Sequence, residues 1–379
     1  MRIFKNKTSF NFIGHQRVAL FISSLCCVAV FAGIPLVGFN YGVDFSGGTL
    51  VEIQFPETVS AETIKEAGTQ GGLADLQVQG IGAREDNSFL LRLGGTTQLT
   101  PQHAAQAEAA IRLQAELKSF YADLDNGLIN LRTANKVDAE MLNREAGTAE
   151  AAIKEVRELG ESQSGGFDYQ IVFSGMAEKL QTALKAGLKE QKFEIRRVDY
   201  VGPQVGKQLK NKGIAALIYA ALAIIAYIAF RFDFKFGPGA LLSIVHDMVL
   251  VLGYYLITQR EFNLTAVAAL LTVVGYSVND TIVIYDRIRE EMARLKGKPF
   301  AEIVNLSINE TLSRTILTSG VTALSLIGLL IFGVGEIFDF AAAMFIGIFV
   351  ATYSSIFVAS PVTVWLEKYL DKDKKPKAI

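Results

Sequence analysis

Six stretches of this 379-residue chain are free, or nearly free, of Lys, Arg, Asp and Glu over the length that a helix needs to cross a bilayer. A hydrocarbon core about 30 Å thick takes roughly 20 residues of helix. The stretches are Val18 to Phe39, Ile214 to Phe230, Gly239 to Ile257, Leu264 to Tyr285, Ile316 to Phe332 and Phe338 to Trp365. Charged residues make up only 20% of the chain and apolar ones 50%, which excludes a disordered or disulfide-scaffold protein. With 37 basic and 38 acidic residues there is no basic excess to suggest nucleic acid as a partner. The lipid bilayer is the expected surroundings. The first stretch exceeds the 7 to 15 apolar residues of a cleaved signal and reads as a retained anchor helix. The last holds Ser354, Ser355 and Pro361 and is expected to be tilted, kinked or partly interfacial.

Basic residues crowd one set of span ends. They lie in the N-terminal tail, at Arg231 to Lys235, in a loop expected from Asp286 to Arg314, and in the tail from Lys368 to Lys377. Lys and Arg near span ends mark the cytoplasmic side. All four groups share one side only if six spans leave both termini in the cytoplasm. The expected organisation is a cytoplasmic tail over residues 1–16, a first span over 17–39, an extracytoplasmic domain over 40–212, five spans over 213–366 and a basic tail over 367–379.

Residues 40–212 are too many for a connection and are expected to fold by themselves. Thr49 to Phe55, Asp75 to Ile81, Ser88 to Leu93, Gln170 to Phe173 and Phe193 to Val201 read as strands. Ala61 to Gly68 and Met176 to Gln191 read as helices, and a turn is expected at Arg84 to Asn87. The order fits an α+β, ferredoxin-like sandwich. Residues 100–160, rich in Ala, Glu, Leu and Lys and opened by a capping Thr100 and Pro101, read as a helical insertion. No internal repeat is visible. Asp44 and Phe45 lead into Gly47 and Gly48, which suit a tight turn where the chain leaves the membrane, and Gly202 with Pro203 stands where it returns.

Ionisable groups inside spans cost roughly 3 kcal/mol or more and persist where they face a bundle interior. Asp247, beside His246, lies about 13 Å into the third span, and Asp280 lies about 9 Å from the charged end of the fourth. Asn279, Ser277 and Tyr276 stand around Asp280, and Arg314 opens the fifth span ahead of Thr315, Thr318, Ser319 and Thr322. A buried carboxylate near a movable Arg makes a proton relay, and the competing reading is hydrogen-bonded helix packing. Cys26 and Cys27 are adjacent, with no metal-ligand spacing, and no phosphate-binding or hydrolase motif occurs, so no cofactor is expected beyond protons as coupling ion.

Tyr41 to Thr49 (YGVDFSGGT), Asp199 to Gly206 (DYVGPQVG), His246-Asp247, Gly275 to Glu290 (GYSVNDTIVIYDRIRE), and Ser313 to Thr315 with Thr318 to Gly320 resemble the SecD/SecF family, on the side of its smaller subunit, SecF. The resemblance implies the resistance-nodulation-division superfamily and a twelve-span bundle shared with a SecD partner. It further implies action beside the SecYEG channel in the bacterial inner membrane, where the proton-motive force helps draw preproteins outward, with no enzymatic reaction. Carried over by position, Asp280 and Arg314 become relay residues, with Asp247, His246, Asn279 and Tyr276 around them. Ser313 stands where many relatives have His. A stand-alone proton-coupled exporter of small molecules and a non-titrating scaffold are the alternatives.

Overall fold

The computed structural model describes residues 8–81, 87–95, 97–147, 151–162, 165–188, 191–232 and 234–373. Of the turn expected at Arg84 to Asn87, all but Asn87 lies outside them, as do the tail lysines Lys374, Lys375 and Lys377. The chain divides into two units: Gly42–Lys210, and the residues up to Tyr41 together with those from Asn211 onward.

Helix α1 (Gln16–Val37) is followed by a single turn, α2 (Val43–Ser46), which opens the sheet unit. Then come β1 (Gly48–Gln54), α3 (Ala61–Gln70), β2 (Gln77–Ile81) and β3 (Ser88–Leu93). After an excursion the chain returns as α6 (Met176–Gly187) and β8 (Glu194–Val201). The four strands form an antiparallel sheet in the order β2-β3-β1-β8, the βαββαβ sandwich expected from the pattern. Strand alternation drives it: Phe89, Leu91 and Leu93 of β3 are buried with Val51 and Ile53, and Ile64, Leu180 and Leu184 cover them from the helices.

The excursion is not the helical insertion that its composition suggested. It contains α4 (Pro101–Gln114), β4 (Leu117–Asp123), β5 (Leu128–Thr133), α5 (Ala139–Ala146), β6 (Ile153–Glu161) and β7 (Phe167–Phe173). Its strands form a second antiparallel sheet in the order β4-β5-β7-β6. Gln170 to Phe173, expected in the first sheet, belongs here. Thr100 does cap α4 by accepting from His103 N at 3.2 Å. The reading of the strands as helix failed because β4 and β6 lie at the sheet edges, half exposed, and β6 carries Lys154, Glu155, Arg157, Glu158 and Glu161.

The two sheets are the same fold in two chain orders. Position by position, β4-β5-β7-β6 follows β2-β3-β1-β8, and its last strand β7 takes the place that the first strand β1 holds in the other. The ends of the excursion meet where Gln98 N donates to Ser174 O at 3.2 Å and Thr97 bridges Gly175. Adjacent ends are what a permuted copy inserted into a loop requires.

The second unit consists of α1 with α7 (Pro203–Arg231), whose start belongs to the sheet unit, and α8 (Gly237–Thr258), α9 (Leu264–Arg294), α10 (Phe300–Phe332), α11 (Glu336–Ser354) and α12 (Ser360–Asp373). Six of the described helices are long and apolar enough to cross a membrane, counting Glu336–Tyr369 as one. Much of the expected loop from Asp286 to Arg314 is helix, since α9 and α10 run on to leave only a short link between Arg294 and Phe300. Glu–Arg pairs three and four apart, such as Arg287 with Glu290 at 2.6 Å and Glu291 at 2.7 Å, carry α9 past its apolar part.

The last span is interrupted, as its Ser and Pro content suggested. A π-helical turn over Ser355–Ala359 joins α11 to α12, ahead of Pro361, which has no N–H to give. Nine residues of regular helix would set Ser354 and Thr363 on opposite faces. The wider turn takes up about one residue, and both are fully buried.

Gly47 and Gly48 have φ of 73° and 131°, and a Cβ on Gly48 would stand 2.5 Å from Leu93 O. Gly48→Ala is expected to lower stability by about 1–3 kcal/mol, read as an earlier thermal midpoint and faster proteolysis of the sheet unit. In the second sheet Arg132 Nε donates to Asp168 at 2.6 Å, and this bond holds the Asp168 carboxyl below its ordinary range. The contribution of the pair is therefore complete above about pH 4, the unfolded carboxyl's range, and is lost as pH falls through the lower folded value. Asp168→Asn is expected to weaken the protein at pH 6 and to flatten its loss of stability below pH 4, followed by thermal unfolding across that range.

Candidate functional site

Asp247 sits midway along α8 with no exposed surface. One carboxylate oxygen accepts from Ser277 Oγ of α9 at 2.5 Å and from Ser354 Oγ of α11 at 2.8 Å. The other lies 2.9 Å from His246 Nδ1. Ser243, one turn earlier on α8, donates to Ser354 at 2.9 Å. Three helices thus surround one carboxyl group with hydroxyls, which is what such a group in hydrocarbon needs. His246 is buried against the Tyr353 ring, its Nε2 has no partner among the described residues, and it borders an apolar cavity of about 310 Å³ beside α1.

Asp280, 2% exposed, is in a different condition. Its Oδ2 is buried without a hydrogen-bond partner among the described residues, and so are Thr281 Oγ1 and Thr315 Oγ1. The Ser319 hydroxyl of α10 and the Arg314 charge are the groups that act on it. Ser319 also accepts from Tyr276 OH at 3.2 Å and lies 2.7 Å from Thr352 Oγ1 of α11. A chain of hydroxyls therefore leads from the neighbourhood of Asp280 through α10 to α11, two residues from the Ser354 that holds Asp247. Ser277 stands level with the Asp247 it bonds, so Asp280, three residues further along α9, differs from Asp247 in level by about 4–5 Å.

The structure brings Tyr276 toward Asp280 through Ser319, and His246 onto Asp247. It does not bring Asn279, which is exposed on the opposite flank of α9, nor does it pair Arg314 with a carboxylate, since Arg314 is exposed on α10 and makes no ion pair within 4 Å among the described residues. Ser277, grouped with Asp280 by sequence distance, serves Asp247 instead. Neighbouring residues on a helix diverge by 100°, so Asn279 and Asp280 cannot share a face.

Sequence reasoning missed a third carboxylate. Asp339, at the start of α11 and 7% exposed, pairs with Arg260 from the short α8–α9 turn, and Arg260 also lies over the Phe338 ring at 4.5 Å. The signal available was an Asp in the first turn of an apolar helix facing a lone Arg in a short turn.

Asp44, Phe45, Gly47 and Gly48 sit with Gly202 and Pro203 in the sheet unit: a Cβ on Gly47 would meet Pro203 Cα at 2.9 Å. Phe45 is buried and Asp44 half-buried. They shape a turn. Among the described residues no three His, Cys, Asp or Glu side chains converge as metal ligands do.

Residues 180–369 match the family described as protein export membrane protein SecD/SecF, C-terminal, and residues 33–58 match the SecD/SecF GG motif. Protein translocase subunit SecF of Magnetococcus marinus is 37% identical over 367 residues, covering 97% of this chain and 95% of that protein. The SecF of Koribacter versatilis is 35% identical, with 97% and 94% covered. Among solved structures, SecDF of Thermus thermophilus, a translocon-associated membrane protein, superposes with a TM-score of 0.65 at 28% identity. That match covers 97% of this chain but only 40% of the SecDF chain. With half of its length matching the family and near full-length relatives above 30% identity, the chain belongs to the SecD/SecF family of protein-export membrane proteins.

Proposed function

We propose that this protein is the SecF-like half of a proton-driven export device. In this reading it assembles with a SecD-like subunit beside the SecYEG channel of the bacterial inner membrane and assists a preprotein late in its passage. Both termini face the cytoplasm and the sheet unit faces outward, as the basic span ends indicate. No cofactor takes part, protons being the coupling ion, and no chemical substrate is turned over.

The observation that carries this reading is the state of Asp280: a carboxylate within a spanning helix, buried, with one oxygen unpartnered and a hydroxyl chain beside it. A group of that kind stays under-satisfied whether or not it holds a proton, so exchange costs little rearrangement around it. Moving one charge through the membrane field yields about 2.3 kcal/mol per 100 mV, sufficient to bias a two-state element. The coverage of 40% of SecDF by a chain with six candidate spans supports a bundle completed by a second subunit. So do Arg314 and Asn279, polar groups exposed on the flanks of α10 and α9 where a partner helix would satisfy them. These points disfavour a stand-alone exporter.

For Asp247 the scaffold reading has its own support, because every oxygen is engaged and three helices meet there. Ser354→Ala is expected to destabilise the detergent-solubilised protein by about 0.6–2 kcal/mol, seen as a lower thermal midpoint. Asp280→Asn, by contrast, is expected to leave that midpoint within a degree or two and to abolish the part of export that depends on the proton gradient. Export of a secreted protein into membrane vesicles, with and without a protonophore, decides it. Normal gradient-dependent export at normal protein levels would remove Asp280 from the relay.

A further inference from the structure

The α8–α9 turn holds two parts of the bundle at once. On one side, Gln259 Nε2 donates to Gly38 O at 3.1 Å, Asn40 Nδ2 donates to Gln259 O at 3.0 Å, and Phe262 N donates to Asn40 O at 2.8 Å. Tyr41 adds a strand-like bridge to Phe262, and the Phe39 and Phe262 rings pack at 5.6 Å. These contacts grip the chain that leaves α1, immediately before the sheet unit begins at Gly42. Gln259 takes a left-handed conformation, φ 52°, uncommon for a residue with a side chain, and the grip holds it there. On the other side, Arg260 of the same turn pairs with Asp339 in the first turn of α11.

Helix α11 runs unbroken from Asp339 to Ser354, and along its length Ala341, Ala343, Ile348 and Ala351 are fully buried. Its far end supplies Ser354 to Asp247 and Thr352 to the Ser319 chain. A carboxylate accepts from all of its neighbours, whereas a protonated acid must donate once, so a change of protonation at Asp280 makes the Ser319 hydroxyl beside it turn, and with it the Thr352 hydroxyl of α11. A close-packed helix answers such a demand by shifting as a body. Asp339 cannot be left behind alone, since breaking its pair would strand a buried carboxylate.

We propose that Arg260 and Asp339 are the positioning pair that transmits movement of α11 to the exit of α1 and so to the root of the sheet unit. The assignment rests on the relay reading of Asp280 given above. Neither residue handles the coupled proton itself. The pair converts a shift of α11 at its Ser354 end into a pull on Asn40 and Tyr41 through the turn.

The test is made on the full chain with its partner subunit in membrane vesicles, reading gradient-driven export of a secreted protein and gradient-driven proton uptake together. Arg260→Gln and Asp339→Asn are each expected to cut the gradient-stimulated part of export by about fivefold or more, the scale of a typical coupling energy, while proton uptake continues. Arg260→Lys and the exchange of Arg260→Asp with Asp339→Arg are expected to regain part of the loss. Unchanged export in both single variants at normal protein levels overturns the proposal. Export and proton uptake falling together also overturns it, because that is the signature of a merely structural pair. Asp280→Asn measured alongside separates the failures: if it loses gradient-dependent export and the pair's variants do not, only the transmission assignment falls. If Asp280→Asn exports normally, the relay reading falls and this assignment with it.

Discussion

The bundle is organised around the cost of keeping one carboxylate in hydrocarbon. Asp247 has no exposed surface, and its neighbours are chosen to answer it: Ser277 from α9, Ser354 from α11 and His246 from its own helix. Each donor fixes something larger than itself. Ser277 sets the rotation of α9, which in turn aims Tyr276 at Ser319 of α10. Ser354 sets the height and rotation of α11, and the π turn that follows lets α12 bury Thr363 on the same side, against Tyr285 at 3.0 Å. A regular helix would have spoiled one of these two contacts to make the other. The irregularity in the last span is thus a consequence of satisfying two buried polar positions nine residues apart.

What could be read from the residues follows from the same energetics. Spans and intramembrane acids are legible because a charge in an apolar run breaks the pattern, so Asp247 and Asp280 stood out. Their partners are Ser and Thr, which are ordinary in spanning helices and carry no contrast, so Ser354 and Thr352 gave no sign of their role. Proximity in sequence misled where helix geometry intervenes, as with Asn279, turned to the outside, and Ser277, given to the wrong acid. In the sheet unit the alternating runs of β1 and β3 were readable. The edge strands β4 and β6 were not, because both are half exposed, and β6 carries the same Lys, Glu and Arg that solvated helices do. The kinship of the two sheets leaves no visible repeat, since a permuted copy shifts the order of elements and shares only the alternation of buried positions.

The two carboxylates divide the work that polar groups do in a membrane. Asp247, with a donor on every side, binds the helices together. Asp280, with an oxygen unpartnered and a single hydroxyl chain leading away, is not held in either state. A relay needs the second kind of site and a rigid support of the first kind close by. The Ser319 and Thr352 hydroxyls connect the two through α10 and α11.

Which helices can move is decided at the other end of the bundle. Arg287 ties α9 to α10 through Glu310, while it also pairs with Glu290 at 2.6 Å and the fully buried Glu291 at 2.7 Å; Arg294 adds a second contact to Glu291 at 2.9 Å. Breaking such a network strands buried charge, so α9 and α10 form the fixed frame. Helix α11 is joined to the buried carboxyl groups by hydroxyls at one end and to the α8–α9 turn by the Arg260 pair at the other. Hydroxyl contacts of about 0.6–2 kcal/mol each are within reach of a single proton's energy in the membrane field, and a buried ion network is not. In the proposed relay, motion driven from Asp280 is therefore directed into α11, which is followed directly by the π turn at Ser355–Ala359 where the span can give.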